Sequence, residues 1–256
     1  MNYYNEFDPQ AVQWLRNLIS AGLIPPGDVD ERSIEDVTPN ELAGYTQCHF
    51  FAGIGGWPLA LALAGWPVDR PVWTGSCPCQ PFSTAGRGDG FADQRHLWPA
   101  WFHLVRECRP CVIFGEQVAS AVGHGWLDLV SSDLEAEGYA CGAAVLGAHS
   151  VGAPHIRQRL YFAANANGKR GEGLRDSECL GQLRQGRAAW PVDLREVCDS
   201  PYTPRAGHPQ PLLRRGVDGI PARVVRLRAY GNAIVPQVAA AFIRAFAESA
   251  ALRAAA

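Results

Sequence analysis

Residues 45–65 constrain the fold of this chain more than any other stretch. Aromatic and β-favouring residues over 45–52 predict a strand, and the glycines close behind it let the backbone turn sharply. These glycines are Gly53, Gly55 and Gly56. Pro58 then begins an apolar run that stops at Gly65, which predicts a helix. A strand, a glycine turn and a helix N-terminus are typical of the nucleotide-binding corner of an open α/β sheet.

The glycines alone support two interpretations. The dinucleotide-binding pattern G-x-G-x-x-G is not met, because Pro58 stands where the third glycine belongs. A tight turn without a ligand would use the same glycines. The corner is therefore either a cofactor site or a purely structural turn.

A cysteine follows the next predicted strand. Residues 71–75 predict a short strand, and Cys79 comes soon after it, between Pro78 and Gln80. Because open α/β sheets place their sites at the carboxyl ends of the strands, this thiol is a candidate nucleophile. The loop over 84–95 is rich in glycine and polar residues and is of the kind that closes over a substrate.

Charged residues approach the same edge from other predicted strands. The apolar strand over 111–114 leads into Glu116. Arg157 and Arg159 alternate, so both guanidinium groups lie on one face of an extended segment, where they can clamp a phosphate or a carboxylate. The alternative interpretation is a solvated glutamate and two surface charges.

Composition narrows the class of protein. The chain has 256 residues, 47% of them hydrophobic, which predicts a globular domain with a smaller lobe. No apolar run is long enough to span a bilayer, and the first residues lack the regions of a signal peptide, so we expect a cytoplasmic protein without membrane contact. The net charge of −2 does not by itself indicate a polyanionic partner. Arginines nevertheless concentrate in the last third, as a basic face or a solvated surface.

The 8 cysteines raise the question of disulfides or a metal. Without a secretion signal we expect free thiols. A zinc site would be built from Cys77, Cys79, Cys108 and Cys111. Against zinc, Cys111 opens an apolar run in which a small thiol simply packs, so we expect no metal.

Five short blocks, in order along the chain, resemble the motifs of DNA (cytosine-5) methyltransferases, especially short phage or prophage forms. The blocks are Phe-Ala-Gly-Ile-Gly-Gly at 51–56, Pro-Cys-Gln at 78–80, Glu-Gln-Val at 116–118, Arg-Gln-Arg at 157–159 and Gly-Asn-Ala-Ile-Val-Pro at 231–236. The similarity spans roughly Phe50 to Ala240, and the Pro-Cys-Gln block is its most specific part.

The resemblance implies an open, doubly wound, mostly parallel α/β sheet of the Rossmann-like methyltransferase type, with a small irregular DNA-recognition lobe. It further implies transfer of a methyl group from S-adenosylmethionine to C5 of a cytosine in double-stranded DNA. The base has to be flipped out of the duplex, because its reacting atoms are inaccessible inside the stack. We also expect a monomer.

The family's catalytic roles carry over to matching positions. Cys79 would add as a thiolate to C6, and Glu116 would bond N3 and the exocyclic amine of the cytosine. Arg159, with Arg157, would orient the base and hold the carboxylate, while the loop over 80–95 would close on the DNA. The candidate catalytic residues are Cys79, Gln80, Ser83, Glu116, Arg157 and Arg159.

The implied cofactor site is incomplete in sequence. Its candidate residues are Phe51, Ala52, Gly53, Ile54, Gly55, Gly56, Trp57, Asp69, Asn232 and Ala233. After its first helix the family has a further strand, helix and strand, which carry a ribose-binding glutamate and an adenine-binding aspartate. This chain passes almost directly from Gly65 to Pro71, with Asp69 as the only acid in between.

Three explanations of that gap stay open. Cofactor binding is weak, or the chain uses another C5-alkylating cofactor, or the N-terminal segment compensates with Asp28, Asp30 and Glu31. Because part of the family's cofactor site is missing from the sequence, a further alternative is a DNA-binding relative without catalytic activity. Other departures are milder: His49 stands near the family's acid, Gln117 replaces an asparagine, and His155 replaces a glutamine.

The remaining patterns divide the chain. Helices are predicted over 8–19, 97–106, 126–134 and 239–254, and a strand over 139–146. The expected segments are an N-terminal helical extension at 1–46, a catalytic domain at 47–164, a target-recognition region at 165–222, and a C-terminal segment at 223–256 that packs back on the sheet.

Overall fold

The computed structural model describes residues 1–78, 97–153, 155–166 and 233–254. The strands are β1 (Asn2–Asn5), β2 (Gly27–Asp30), β3 (Gln47–Phe50), β4 (Val72–Gly75), β5 (Val112–Val118), β6 (Tyr139–Gly147) and β7 (Gln158–Ala166). The α-helices are α1 (Pro9–Ser20), α2 (Gly56–Ala64), α3 (Trp98–Cys108), α4 (Trp126–Ala136) and α5 (Pro236–Ala254). No helix among these residues is long and apolar enough to cross a membrane.

All seven strands form one sheet in the order β2-β1-β3-β4-β5-β7-β6. The first five strands in this order are parallel, whereas β7 runs antiparallel to both β5 and β6. The expected mostly parallel sheet is therefore confirmed.

Helices cover both faces of the sheet, as expected for a doubly wound fold. On one face, α3 and α4 bury aromatic side chains such as Trp98 and Trp126 against Phe162 of β7. On the other face, α2 and α5 pack together over β5, where Phe114 meets Phe246. The C-terminal helix thus packs back on the sheet, as predicted.

Strand glycines make room for aromatic rings on the first face of the sheet. A Cβ atom at Gly75 would lie only 2.6 Å from the Trp101 ring, and one at Gly115 only 2.0 Å from the Phe162 ring. Both strands therefore need glycine at these positions, because a side chain would displace a fully packed aromatic ring.

The N-terminal segment differs from the expectation. Residues 1–46 are not a helical extension, because β1 lies inside the sheet between β2 and β3 and pairs in register from Asn2 to Asn5. The buried asparagines are satisfied there: Asn5 Nδ2 donates to the Arg32 carbonyl oxygen at 2.9 Å. The helix predicted from Asp8 is confirmed as α1, and Asp8 accepts two backbone N–H bonds as its N-cap.

In this half of the molecule, the order of the strands in the sheet differs from their order along the chain. In the usual nucleotide-binding half, the chain starts at the central strand and then builds the next two strands outward. Here the two outer strands, β1 and β2, precede the central strand β3 in sequence. The strand-helix-strand unit that is missing between Gly65 and Pro71 is thus present in space, but it is supplied by residues 2–30.

The other predicted elements are confirmed with small changes of length. The strand predicted over 111–114 continues to Val118, and the one predicted over 45–52 is confined to Gln47–Phe50. Cys48, Cys77, Cys108 and Cys141 are free, as expected, whereas Cys111 is disulfide-bonded, which corrects the expectation for that residue. No group of three potential metal ligands occurs among the described residues.

Candidate active site at the carboxyl edge of the sheet

The parallel strands bring several polar groups to one edge of the sheet. Glu6 follows β1, the glycine turn follows β3, and Ser76 follows β4, while Glu116 lies near the end of β5. Chemistry-bearing residues in open α/β sheets lie at this edge. The predicted site residues Cys79, Gln80, Ser83 and Asn232 lie outside the described residues.

Glu116 is a buried carboxylate with an arginine partner. Its side chain is 7% exposed, and Oε1 lies 3.0 Å from Nε of Arg159. Arg159 reaches it diagonally across the antiparallel pair of β5 and β7, because Glu116 stands opposite Tyr161, two residues further along. The structure thus brings two of the predicted catalytic residues together.

Burial sets the protonation of Glu116. Loss of solvent raises its pKa to about 7, and the nearby guanidinium groups of Arg159 and Arg157 only partly oppose this effect. The Ser76 hydroxyl also bonds the carboxylate and lowers its pKa. At neutral pH the group therefore exchanges between a hydrogen-bond donor and a carboxylate.

Arg157 ties the catalytic edge to the C-terminal segment. It precedes β7 with a left-handed backbone, φ +29°, and its Nη2 donates to the carbonyl oxygen of Ala233. Burial lowers its pKa from the ordinary value, and the neighbouring charge of Arg159 acts in the same direction. Ala233, a candidate cofactor residue, is thus held beside the arginine pair.

The glycine turn is fixed from two sides. Phe51, Gly53 and Gly55 have positive φ values of 51°, 56° and 82°. A Cβ atom at Gly55 would lie 3.1 Å from Leu18 of α1. At Gly56 it would lie 2.7 Å from Ile234, so the C-terminal segment also packs on the turn.

Glu6 is the residue that the sequence interpretation missed. Its Oε2 accepts a hydrogen bond from the Gly53 N–H at 2.7 Å, and its Oε1 accepts one from the Asp8 N–H at 2.9 Å. Burial raises the pKa of this carboxyl above its ordinary value. An acid directly after Asn5 was a usable indication, but only once residues 2–5 are recognised as a strand.

The three N-terminal carboxylates named from sequence have other partners. Asp30 accepts from the Tyr3 hydroxyl at 2.8 Å and pairs with Arg32 at 2.6 Å. The hydroxyl of Tyr45 donates to Asp28, and Glu31 lies 3.6 Å from Arg16 on the surface. Glu6, rather than any of these, contacts the glycine turn.

Two predicted cofactor residues, Asp69 and Trp57, are not exposed beside the glycine turn. Asp69 is exposed in the turn before β4, at the amino edge of the sheet and opposite to the glycine turn, which speaks against a cofactor contact. Trp57 is buried between α2 and the sheet, and its Nε1 donates to Ser76 Oγ at 3.0 Å. Ala52 is buried and Ile54 is half-buried in the turn.

Two of the residues that depart from the family pattern, His49 and Gln117, are buried, whereas the third, His155, is exposed. His49 is fully buried, stacks on Tyr4, and lies with Nδ1 2.8 Å from Thr74 Oγ1. Burial lowers its pKa to about 3, so the ring is neutral near pH 7. Gln117 is buried, and its Oε1 accepts from the Val118 N–H.

Comparison with known proteins shows similarity to one family. Residues 67–181 match the family model of C-5 cytosine-specific DNA methylases. Over 171 residues the chain is 27% identical to the type II methyltransferase M.HhaI of Haemophilus parahaemolyticus, which covers 52% of each chain. It is 34% identical over 116 residues to the type II methyltransferase M.AluI of Cellulosimicrobium cellulans, which covers 41% of this chain and 22% of that one.

A solved structure similar to this chain is a DNMT2 mutant of Spodoptera frugiperda, with a TM-score of 0.42, 19% identity, and coverage of 68% of this chain and 45% of that one. The chain spans about half the length of M.HhaI and less of M.AluI. The match to the family model and the similarity to these relatives support assignment of the chain to the C-5 cytosine-specific DNA methylase family.

Proposed function

We propose that the protein is a DNA cytosine C5-methyltransferase that uses S-adenosylmethionine and forms a covalent adduct between Cys79 and C6 of a flipped-out cytosine. The observation that carries this proposal is the buried pair of Glu116 and Arg159 at the carboxyl edge of the sheet. A carboxyl group with a pKa near 7, in a chain with a Pro-Cys-Gln block, suits activation of a pyrimidine ring.

Glu116 would act on the cytosine ring. In its protonated form it donates to N3 while its other oxygen accepts from the exocyclic amine, which withdraws electrons from C6. The Cys79 thiolate then forms the S–C6 bond, and the ring electrons move to C5, which takes the methyl group. Loss of the C5 proton and of the thiolate restores the aromatic ring. S-adenosylmethionine would supply the electrophilic methyl group when bound.

The arginines would hold this arrangement in place. Arg159 keeps the Glu116 carboxyl in one orientation through its bond at 3.0 Å. Arg157 is anchored on the Ala233 carbonyl and places a second positive charge beside the site. Both positive charges stabilise the electron density that builds up on the cytosine ring, and they attract a nearby phosphate group. This supports double-stranded DNA as the partner.

The residues around the glycine turn fit a nucleotide-type cofactor. Gly53 and Gly55 adopt left-handed conformations next to the N-terminus of α2, and Glu6 adds the carboxylate that this site requires. With two backbone bonds made, a carboxylate still has acceptor capacity for ribose hydroxyls. We therefore assign compensation by the N-terminal segment to Glu6. The remaining cofactor residues would be Phe51, Ala52, Gly53, Ile54, Gly55, Gly56, Asn232 and Ala233.

The residues outside the described ranges have roles in the same proposal. Gln80 and Ser83 would belong to the catalytic loop, and residues 165–222 would read the DNA sequence. We propose a monomer that acts on DNA in the cytoplasm.

Covalent trapping tests the proposal. Duplex DNA with 5-fluorocytosine in place of cytosine should form a denaturation-stable adduct with the protein, because fluorine blocks loss of the C5 substituent. The adduct should require S-adenosylmethionine and disappear in Cys79→Ser, while Cys141→Ser, which changes a thiol on β6, should retain it. An adduct that forms only with another alkyl donor would show that S-adenosylmethionine is not the cofactor. DNA binding without any adduct would support the alternative that the protein is a DNA-binding relative without catalytic activity.

A further inference from the structure

A short hydrogen-bond chain runs behind Glu116. The Trp57 indole nitrogen donates to Ser76 Oγ at 3.0 Å. Ser76 follows Gly75, which pairs with Gly115 across β4 and β5, so Ser76 lies beside Glu116 and its hydroxyl bonds that carboxyl group. An indole N–H can only donate, and an ionised carboxylate can only accept. When Glu116 is ionised, the direction of both bonds is therefore fixed: Trp57 donates to Ser76, and the single hydroxyl hydrogen of Ser76 is directed to Glu116.

The donor at the start of this chain is rigid. Trp57 is 1% exposed, and its ring packs edge-on against Tyr161 at a centroid distance of 6.5 Å. It stands in the first turn of α2, directly after the glycine turn, whereas Ser76 follows β4. The chain therefore links the cofactor corner to Glu116 across two strands. Its bonds are strong because the surroundings are largely dry.

We propose that Ser76, held by Trp57, is a positioning residue that fixes the orientation of the Glu116 carboxyl and directs a hydrogen-bond donor onto it. This inference rests on the proposed function of Glu116 as the group that bonds the cytosine. Ser76 does not touch the reacting atoms; it acts through the carboxyl. Trp57 thereby has a role in the reaction that is separate from any contact with a cofactor.

Other charged and titratable groups also face Glu116. Among the described residues, Arg157, Arg159 and Tyr161 of the β7 segment interact with the carboxyl electrostatically. Both arginines favour the charged form of Glu116, and so does the Ser76 hydroxyl. Removing the hydroxyl should therefore raise the pKa of Glu116 above its value of about 7.

Carbon NMR titration of the Glu116 carboxyl tests the inference in the full-length protein without DNA or cofactor. Ser76→Ala should move the titration midpoint up by about one pH unit, since one hydrogen bond to a charged group is lost. Trp57→Phe, which removes the N–H donor but keeps an aromatic ring, should move the midpoint in the same direction by less. Ser76→Thr, which keeps a hydroxyl, should restore it. Glu116→Gln identifies the signal.

Ser249→Ala is the matched control, because that serine is exposed on α5 and, within the described part of the chain, bonds only the Phe246 carbonyl. A midpoint in Ser76→Ala equal to that of Ser249→Ala would overturn the inference. If Ser76→Ala does not fold, an unchanged midpoint in Trp57→Phe would overturn the inference instead. The titration does not depend on enzyme activity. An unchanged midpoint would therefore reject the role of Ser76 without affecting the trapping result, and absence of a trapped adduct would not affect the titration.

Discussion

The carboxylate of Glu6 accepts a hydrogen bond from the backbone N–H of Gly53 at 2.7 Å. This bond joins the first strand of the chain to the turn after the third, across the β1–β3 pair. It places an acid beside the glycine turn, in a chain whose sequence shows no such acid in the expected interval after the glycines. The glycine turn therefore has an acid beside it in space that the sequence after the turn does not provide.

Glu6→Gln should weaken binding of S-adenosylhomocysteine by about 10- to 100-fold, because the neutral amide loses charge-assisted bonds to the ligand and to Gly53. Isothermal titration calorimetry measures this affinity. Glu31→Gln is the matched control, since Glu31 follows β2 at the same edge but pairs with Arg16 on the surface. Equal affinities for the two variants would remove Glu6 from the cofactor site.

The rate of adduct formation with 5-fluorocytosine DNA should fall as the pH rises through about 7 under kcat/KM conditions. Burial raises the pKa of Glu116 to this value, and only its protonated form donates to N3. In Glu116→Gln the alkaline fall should vanish and the rate at pH 6 should be lower. A fall that persists unchanged in the glutamine variant would assign it to another group.

The sequence predicted the elements whose structure is set locally. The strand, turn and helix around Gly53 follow from glycines, a proline and an apolar run, all within a few residues of one another. The buried run before Glu116 likewise identifies β5. The edge location of Glu116 and Arg159 was predictable from these patterns, but their direct contact depends on β7 lying antiparallel beside β5.

The strands β1 and β2 were not predictable in the same way. Each is four residues long and contains asparagine, aspartate or glycine, which are depleted in strands. The strand β1 is stabilised by pairing with β3, a contact across more than 40 residues of chain, and β2 is stabilised by pairing with β1. Glu6 and Ser76 were missed for a related reason, because neither belongs to a recognisable motif and each acts through a neighbour in space.

Arg159→Ala should destabilise the fold by roughly 3 kcal/mol at pH 8 and by less at pH 6, because it leaves a buried carboxyl without its cation. The folded-state pKa of Glu116 is raised, so this group's contribution to stability is greatest below its ordinary pKa and is lost as pH rises through about 7. Without Arg159 the pKa rises further, which adds a penalty only at the higher pH.

Urea denaturation at the two pH values measures the difference. Arg106→Ala is the control, since its pair with Glu107 is about half exposed and contributes little to stability. Losses that are equal at both pH values would mean that the arginine stabilises the fold by packing alone.

Gly56→Ala should destabilise the protein by about 1–3 kcal/mol, because the new Cβ would lie 2.7 Å from Cγ1 of Ile234. Ile234→Ala removes that atom, so the double variant should be more stable than the sum of the two single losses predicts. A double-mutant cycle by urea denaturation measures this coupling. Gly123→Ala is the control, because its Cβ would meet nothing within 4 Å. Additive losses would show that the glycine turn and the C-terminal segment do not touch in solution, and would also separate Ala233 from the cofactor corner.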